Sequence, residues 1–156
     1  MLEEVVVNHP DIDKICSTSL NTLRIFTFVK DGKVQILSTM LRCGILGAVV
    51  DNWGAGGVVY SVNRDGFIDS FGVDKKGNYY NYHPVTNIQM LGYYIPNYCD
   101  LESFVISIVE KQPKAIFCGL DIAITSEGFE LIEINFPGGH DIFQAFGVGF
   151  NKVLNG

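Results

Sequence analysis

The chain has 156 residues, a length that fits one domain with a substantial core. Hydrophobic residues make up 47% and charged residues 18%, a balance that excludes a disordered chain. A net charge of -6, with only 11 Lys and Arg, argues against nucleic acid or an anionic membrane as partner, and suits a protein that handles anionic nucleotides through bridging cations. Cys16, Cys43, Cys99 and Cys118 form no Cys-x-x-Cys pair, so free thiols in a reducing compartment are expected. No apolar run reaches the roughly 18 residues of a membrane helix, and the acidic Met1-Leu2-Glu3-Glu4 start is unlike a signal peptide. The expectation is a cytoplasmic protein.

In chain order, Glu3 to Val7 reads as a strand ended by Asn8-His9-Pro10, and Asp11 to Ser19 as a turn or short helix. Thr22 to Val29 and Lys33 to Leu41 are β-branched and aromatic runs separated by Asp31-Gly32, the strongest short-range signal of a hairpin. Asp51-Asn52-Trp53-Gly54-Ala55-Gly56-Gly57 forms a glycine-rich loop before a strand over Val58 to Val62, and Phe67 to Val73 suggests another strand. Lys75 to Cys99 is polar, Tyr-rich and broken by prolines, and reads as a long excursion. Leu101, Phe104, Val105, Ile108 and Val109 have helical spacing, with Asp100 placed to cap. Ala115 to Thr125 and Phe129 to Phe136 are two more strands, followed by a terminal segment with a helix. The fold class is α+β: one domain over 1–156, an antiparallel sheet with helices packed on one face.

The chemistry concentrates in the last two strands. Ser126-Glu127-Gly128 suits a three-residue turn with a bulge at Gly128, pairing Thr125 with Phe129. That register sets Asp121 opposite Glu133 and Gly119 opposite Asn135, with both acids and the amide on one face. Leu120, Ile122, Ile124, Ile132 and Ile134 then form a core face. Opposed carboxylates repel unless something binds between them, and a hard cation with oxygen ligands is one remedy. The alternative is a solvated polar face whose acids pair with Lys or Arg. Arg24 and Arg42 sit in apolar strands and need anionic partners. A two-residue Asp31-Gly32 turn sets them on opposite faces; a bulge brings them together. The glycine loop either approaches an anion through its N–H groups or merely turns the chain. Tyr79-Tyr80-Asn81-Tyr82 and Tyr93-Tyr94 either line a sugar or acyl site or cover a surface. His9 and His83 precede prolines and read as turn residues.

Gly119-Leu120-Asp121-Ile122-Ala123, followed by Leu131-Ile132-Glu133-Ile134-Asn135-Phe136-Pro137-Gly138, resembles the magnesium-binding end of ATP-grasp enzymes. With Glu3 to Pro10, Ser19 to Ile25 and Asp51 to Gly57 in the same order, nearly the whole chain resembles the sugar-transfer associated branch of that family. The resemblance implies ATP and two magnesium ions as cofactors, held by Asp121, Glu133 and Asn135. It makes Glu3, Glu4, Val5 and Val6 an adenine-contacting hinge, and points Arg24 and Arg42 at the phosphates or an acyl phosphate. It turns Asn52, Gly56 and Gly57 toward nucleotide or substrate. His140, beside the metal motif, either contacts substrate or packs at a helix start.

The family's reaction activates a carboxylate as acyl phosphate and passes it to an amine or similar nucleophile, so a nucleotide and a carboxylate-bearing small molecule are the implied partners. The resemblance begins at the hinge, and the first subdomain, with its phosphate-binding lysines, has no counterpart in the sequence. The expectation is therefore the C-terminal ATP-grasp subdomain, inactive alone, completed by an N-terminal half or self-associating as a homodimer. The competing expectation is a catalytically inactive module that binds or assembles.

Overall fold

The computed structural model describes residues 5–45, 56–112 and 115–136. Among them, seven strands form one antiparallel sheet with two α-helices. In chain order these are α1 (Pro10–Asp13), β1 (Thr22–Lys30), β2 (Lys33–Cys43), β3 (Val58–Val62), β4 (Gly72–Val73), β5 (Tyr79–Tyr80), α2 (Leu101–Val109), β6 (Phe117–Thr125) and β7 (Gly128–Asn135). The strands lie in the order β5-β4-β3-β2-β1-β6-β7. No helix among the described residues is long and apolar enough to cross a membrane.

Asp31 and Gly32 both take positive φ, 52° and 73°, and close the β1–β2 hairpin in the two-residue turn their dipeptide favours. A bulge between Phe26 and Thr27 of β1 leaves Leu37 as the extra residue on β2. Its cause is legible in the side chains: Val34 and Ile36 pack on the main core, whereas Met40 belongs to a smaller cluster on the opposite face. All three are even-numbered, so only a one-residue slip lets each group face its own neighbours.

β7 has the same problem and the same answer. Phe129 and Leu131 pack on the core, but Glu133 and Asn135 need the other face. Thr125 pairs with Gly128, not with Phe129 as expected, and a bulge at Ile132 then restores Asp121 opposite Glu133. Ile132, expected in the core, is the bulged residue and is 42% exposed.

The main core lies on the face of Leu23, Ile25, Leu41, Tyr60, Leu120 and Ile122, covered by Ile12 and Ile15 from the α1 segment and by α2. α2 buries Leu101, Val105 and Val109, a line one turn apart, as its periodicity predicts. Asp100 does not cap it with its side chain, because the preceding 3-10 turn over Tyr98–Asp100 holds Asp100 in a helical conformation.

Other expectations are corrected or bounded. Residues 5–9 form no strand, and Val5 and Val7 are exposed. Of Phe67 to Val73 only Gly72–Val73 is a strand, although Phe67 and Ile68 make isolated bridges. Glu3, Glu4, Asn52, His140 and the terminal helix lie outside the described residues. All four cysteines are free, three of them buried.

Candidate functional site

Opposite the main core, the sheet carries a row of polar side chains in an apolar frame. Arg24 on β1 pairs with Asp121 on β6, and Asp121 pairs with Glu133 on β7. On the other side of β1, Thr22 pairs with Arg42 of β2. Alternation therefore places Thr22, Arg24, Phe26, Met40, Arg42, Asp121, Glu133 and Asn135 on one face. The bulge at Leu37 decides the open question about the two arginines: both point to the same side.

Asp121 is the centre of this face. Arg24 grips it with two parallel bonds, Nε to Oδ1 at 2.5 Å and Nη2 to Oδ2 at 2.8 Å. Arg42 Nη1 donates to the same carboxylate, at 3.2 Å to Oδ1 and 3.3 Å to Oδ2. The side chains of Arg24, Arg42 and Asp121 are only 11%, 12% and 6% exposed, so each charge relies on the others for solvation. Phe26, Met40 and Val59 form the buried apolar cluster beside them, with Leu37 and Phe117 packed against it. The Arg24 guanidinium lies 5.9 Å from the Phe26 ring centroid, within cation–π range.

Glu133 differs. It stands directly across from Asp121 but is exposed, and it makes no ion pair among the described residues. The Nδ2 atom of Asn135 is buried and has no hydrogen-bond partner among the described residues. A half-turn of that amide would present its oxygen at the same place. No group of three or more His, Cys, Asp or Glu among the described residues could hold a metal. The quartet Arg24, Arg42, Asp121 and Glu133 carries two charges of each sign, so it offers little attraction to a bare dication. Glu133 and Asn135 have free bonding capacity; Asp121 has none while both arginines hold it. The residues therefore fit a cation that arrives with an anion able to take up the arginines.

The glycine loop ends beside this row. Gly56 has φ of 99°, open to glycine at no steric cost, and Gly57 leads into β3, whose Val59 pairs with Arg42. Val5 and Val6 lie outside any strand, and Asn8 anchors the segment that follows.

A buried amide network next to the site escaped the sequence reading of side-chain roles. Asn8 donates to Ser19 O and accepts from Asn21 N, while Asn21 donates to Ile12 O and Cys16 O. Asn21 also accepts from Gly44 N, fixing the chain where it leaves β2, two residues beyond Arg42. A side chain on Gly44 would sit 2.2 Å from Ser19 Oγ, so the close approach requires glycine. His83 donates through Nε2 to Gly44 O at 3.1 Å, and burial depresses its pKa. It is a buried clamp on that exit. The only available signal was that Asn8 and Asn21 fall within segments resembling the family.

No curated protein and no solved structure matches the chain. The family model described as sugar-transfer associated ATP-grasp matches residues 1–155. Membership of an ATP-grasp family points to ATP binding and ligase-like chemistry. With nearly its whole length matched, the chain belongs to the sugar-transfer associated ATP-grasp family.

Proposed function

We propose that this sheet face is the magnesium- and phosphate-handling side of an ATP-dependent carboxylate ligase, in the C-terminal ATP-grasp subdomain. The observation that carries the reading is Asp121, held by Arg24 and Arg42 with Glu133 directly opposite. Nucleotide phosphates are the anion that such arginines bind well, because a guanidinium offers two donors in the plane of a phosphate edge. Their transfer from Asp121 to phosphate would leave Asp121, Glu133 and Asn135 to hold magnesium. When bound, magnesium would neutralise the charge on the transferring phosphoryl group.

Arg24 and Arg42 would orient the phosphate chain and stabilise the negative charge that develops as a substrate carboxylate becomes an acyl phosphate. An amine or similar nucleophile would then take the acyl group. Their near-complete burial keeps both guanidinium groups beside Asp121, so that only a short shift would carry them from carboxylate to phosphate. Gly56 and Gly57, with Asn52, would border the phosphates, Glu3, Glu4, Val5 and Val6 the adenine, and His140 the substrate. The compartment that fits this chemistry and the four free cysteines is the cytoplasm.

One observation favours a second reading. The Asp121 carboxylate is fully engaged by arginines, as in an inert brace across β1, β2 and β6, which suits a binding or assembly module without turnover. Isothermal titration with ATP, with and without magnesium, separates the two. The ligase reading expects Mg-ATP binding that weakens roughly tenfold or more in Asp121→Asn and in Glu133→Gln. Because Glu133 is exposed, its substitution should alter stability by no more than about 0.5 kcal/mol. Absence of nucleotide binding at millimolar concentration, in a folded protein, would favour the brace.

A further inference from the structure

At the other edge of the sheet, the site face carries a second feature. Arg42 pairs with Val59, Val59 with Val73, and Val73 with Tyr79. Tyr79 therefore lies on the face of the arginine–aspartate cluster, three strand spacings, or about 14 Å, from β2. Tyr79 is 73% exposed and Phe71 53%, and with Asn81 they line an open cleft of ≈ 340 Å³. The alternate residue Tyr80 packs toward the main core.

The hairpin beneath is fixed. Asp74 accepts from Lys76 N, Asn78 N, Asn78 Nδ2 and the Tyr80 hydroxyl, which locks the turn between β4 and β5. The Asn81 carbonyl accepts from Met90 N, while its side-chain amide makes no hydrogen bond among the described residues. Two aromatic rings and a free amide are thus displayed on a rigid edge, at no folding advantage to the core.

We propose that this cleft binds a pyranose ring of the ligase's small-molecule substrate, an inference that rests on the reading of the arginine cluster as the reaction site. A pyranose has an apolar C–H face that stacks on aromatic rings, and hydroxyls that both give to and accept from an amide. The described lining has no charged side chain, which disfavours phosphate or carboxylate at this end. The span to β2 is longer than one sugar ring. The occupant is therefore an extended glycoside, whose reactive end lies toward Arg42 and whose neutral ring lies at Tyr79.

The test is an NMR titration of the ¹⁵N-labelled chain, without nucleotide, using cellobiose and, separately, adenosine. Cellobiose should shift amides in 70–73 and 78–82, and the affinity should fall roughly tenfold in Phe71→Ala and Tyr79→Ala. Both residues are exposed, so the variants should fold, and retained dispersion of the amide spectrum checks this. Asp121→Asn should leave these shifts unchanged. No shift at about 50 mM cellobiose, a millimolar-scale limit, would overturn the proposal. So would shifts indifferent to both substitutions, stronger binding of adenosine at the same amides, or concentration-dependent shifts without ligand, which would assign the cleft to a second copy of the chain. Cellobiose binding in a protein that ignores Mg-ATP would leave the cleft standing and remove only the ligase reading. Mg-ATP binding with cellobiose silent would do the reverse.

Discussion

Leu120 and Asp121 are neighbours on β6, both buried, and held in place by opposite physics. Leu120 faces the main core, where β1, β2, β3, β7 and the helices contribute apolar side chains. Asp121 faces the row where two guanidinium groups replace the water its carboxylate has lost. The first arrangement tolerates changes that keep shape and polarity. The second tolerates only changes that keep the charges balanced, since removing one partner leaves the others buried and uncompensated.

Asp121→Ala should give the largest loss, about 3–5 kcal/mol in denaturant unfolding, because Arg24 and Arg42 would both lose their counter-ion. Leu120→Ala should cost slightly less, about 3 kcal/mol, as a cavity in a packed core. Nucleotide affinity separates the two faces more sharply than stability does. Leu120→Ala should keep Mg-ATP binding in whatever fraction remains folded, whereas Asp121→Ala should abolish it. Equal effects of the two on nucleotide affinity would mean that the arginine row has no ligand role.

The core face has its own exception. Tyr60 is fully buried, and its hydroxyl has no hydrogen-bond partner among the described residues. Burial also pushes its phenol pKa far upward, so the ring stays neutral at any working pH. Tyr60→Phe should therefore be neutral or stabilising by up to about 1 kcal/mol, measured as a shifted unfolding midpoint. A clear loss of stability would show that the hydroxyl is solvated by an ordered water and that the core face is less dry than its side chains suggest.

The contrast between faces also explains what the sequence could and could not convey. The β1–β2 hairpin was legible because its turn dipeptide lies between two apolar runs, and α2 because its apolar residues have helical spacing. Asp121 opposite Glu133 was reached through the wrong turn: Thr125 pairs with Gly128, and the bulge at Ile132 cancels the error. Bulges are hard to locate from one sequence, because each only switches which parity of residue faces the core. Yet both strands carry the sign in hindsight. Val34 and Ile36 share parity with Met40 and Arg42, and Phe129 and Leu131 with Glu133 and Asn135. Apolar and polar demands cannot share one parity along a straight strand, so a bulge must intervene. The Asn8–Asn21 network was illegible because its bonds join residues that no periodicity relates.

The smallest expected effect concerns acid, and it tests whether the exit of β2 is held from the core side independently of Arg42. His83 donates to Gly44 O, and its Nδ1 lies 3.2 Å from Thr86 Oγ1 and 3.5 Å from Thr86 N, deep under the exit of β2. Burial is the larger influence and lowers its pKa below 6.5, while the hydrogen bond to the Gly44 carbonyl works in the other direction. A histidine with a depressed folded pKa binds fewer protons folded than unfolded between the two values. Its stabilising contribution is then complete above the unfolded value, near 6.5, and is lost as pH falls through the folded one. Unfolding midpoints should accordingly decline on acidification from neutral pH, before most carboxylates titrate. His83→Gln should lower stability at pH 7 but flatten this decline, and Asp121→Asn should leave its slope in that window unchanged. A profile equally steep in His83→Gln would move the acid sensitivity away from the β2 exit.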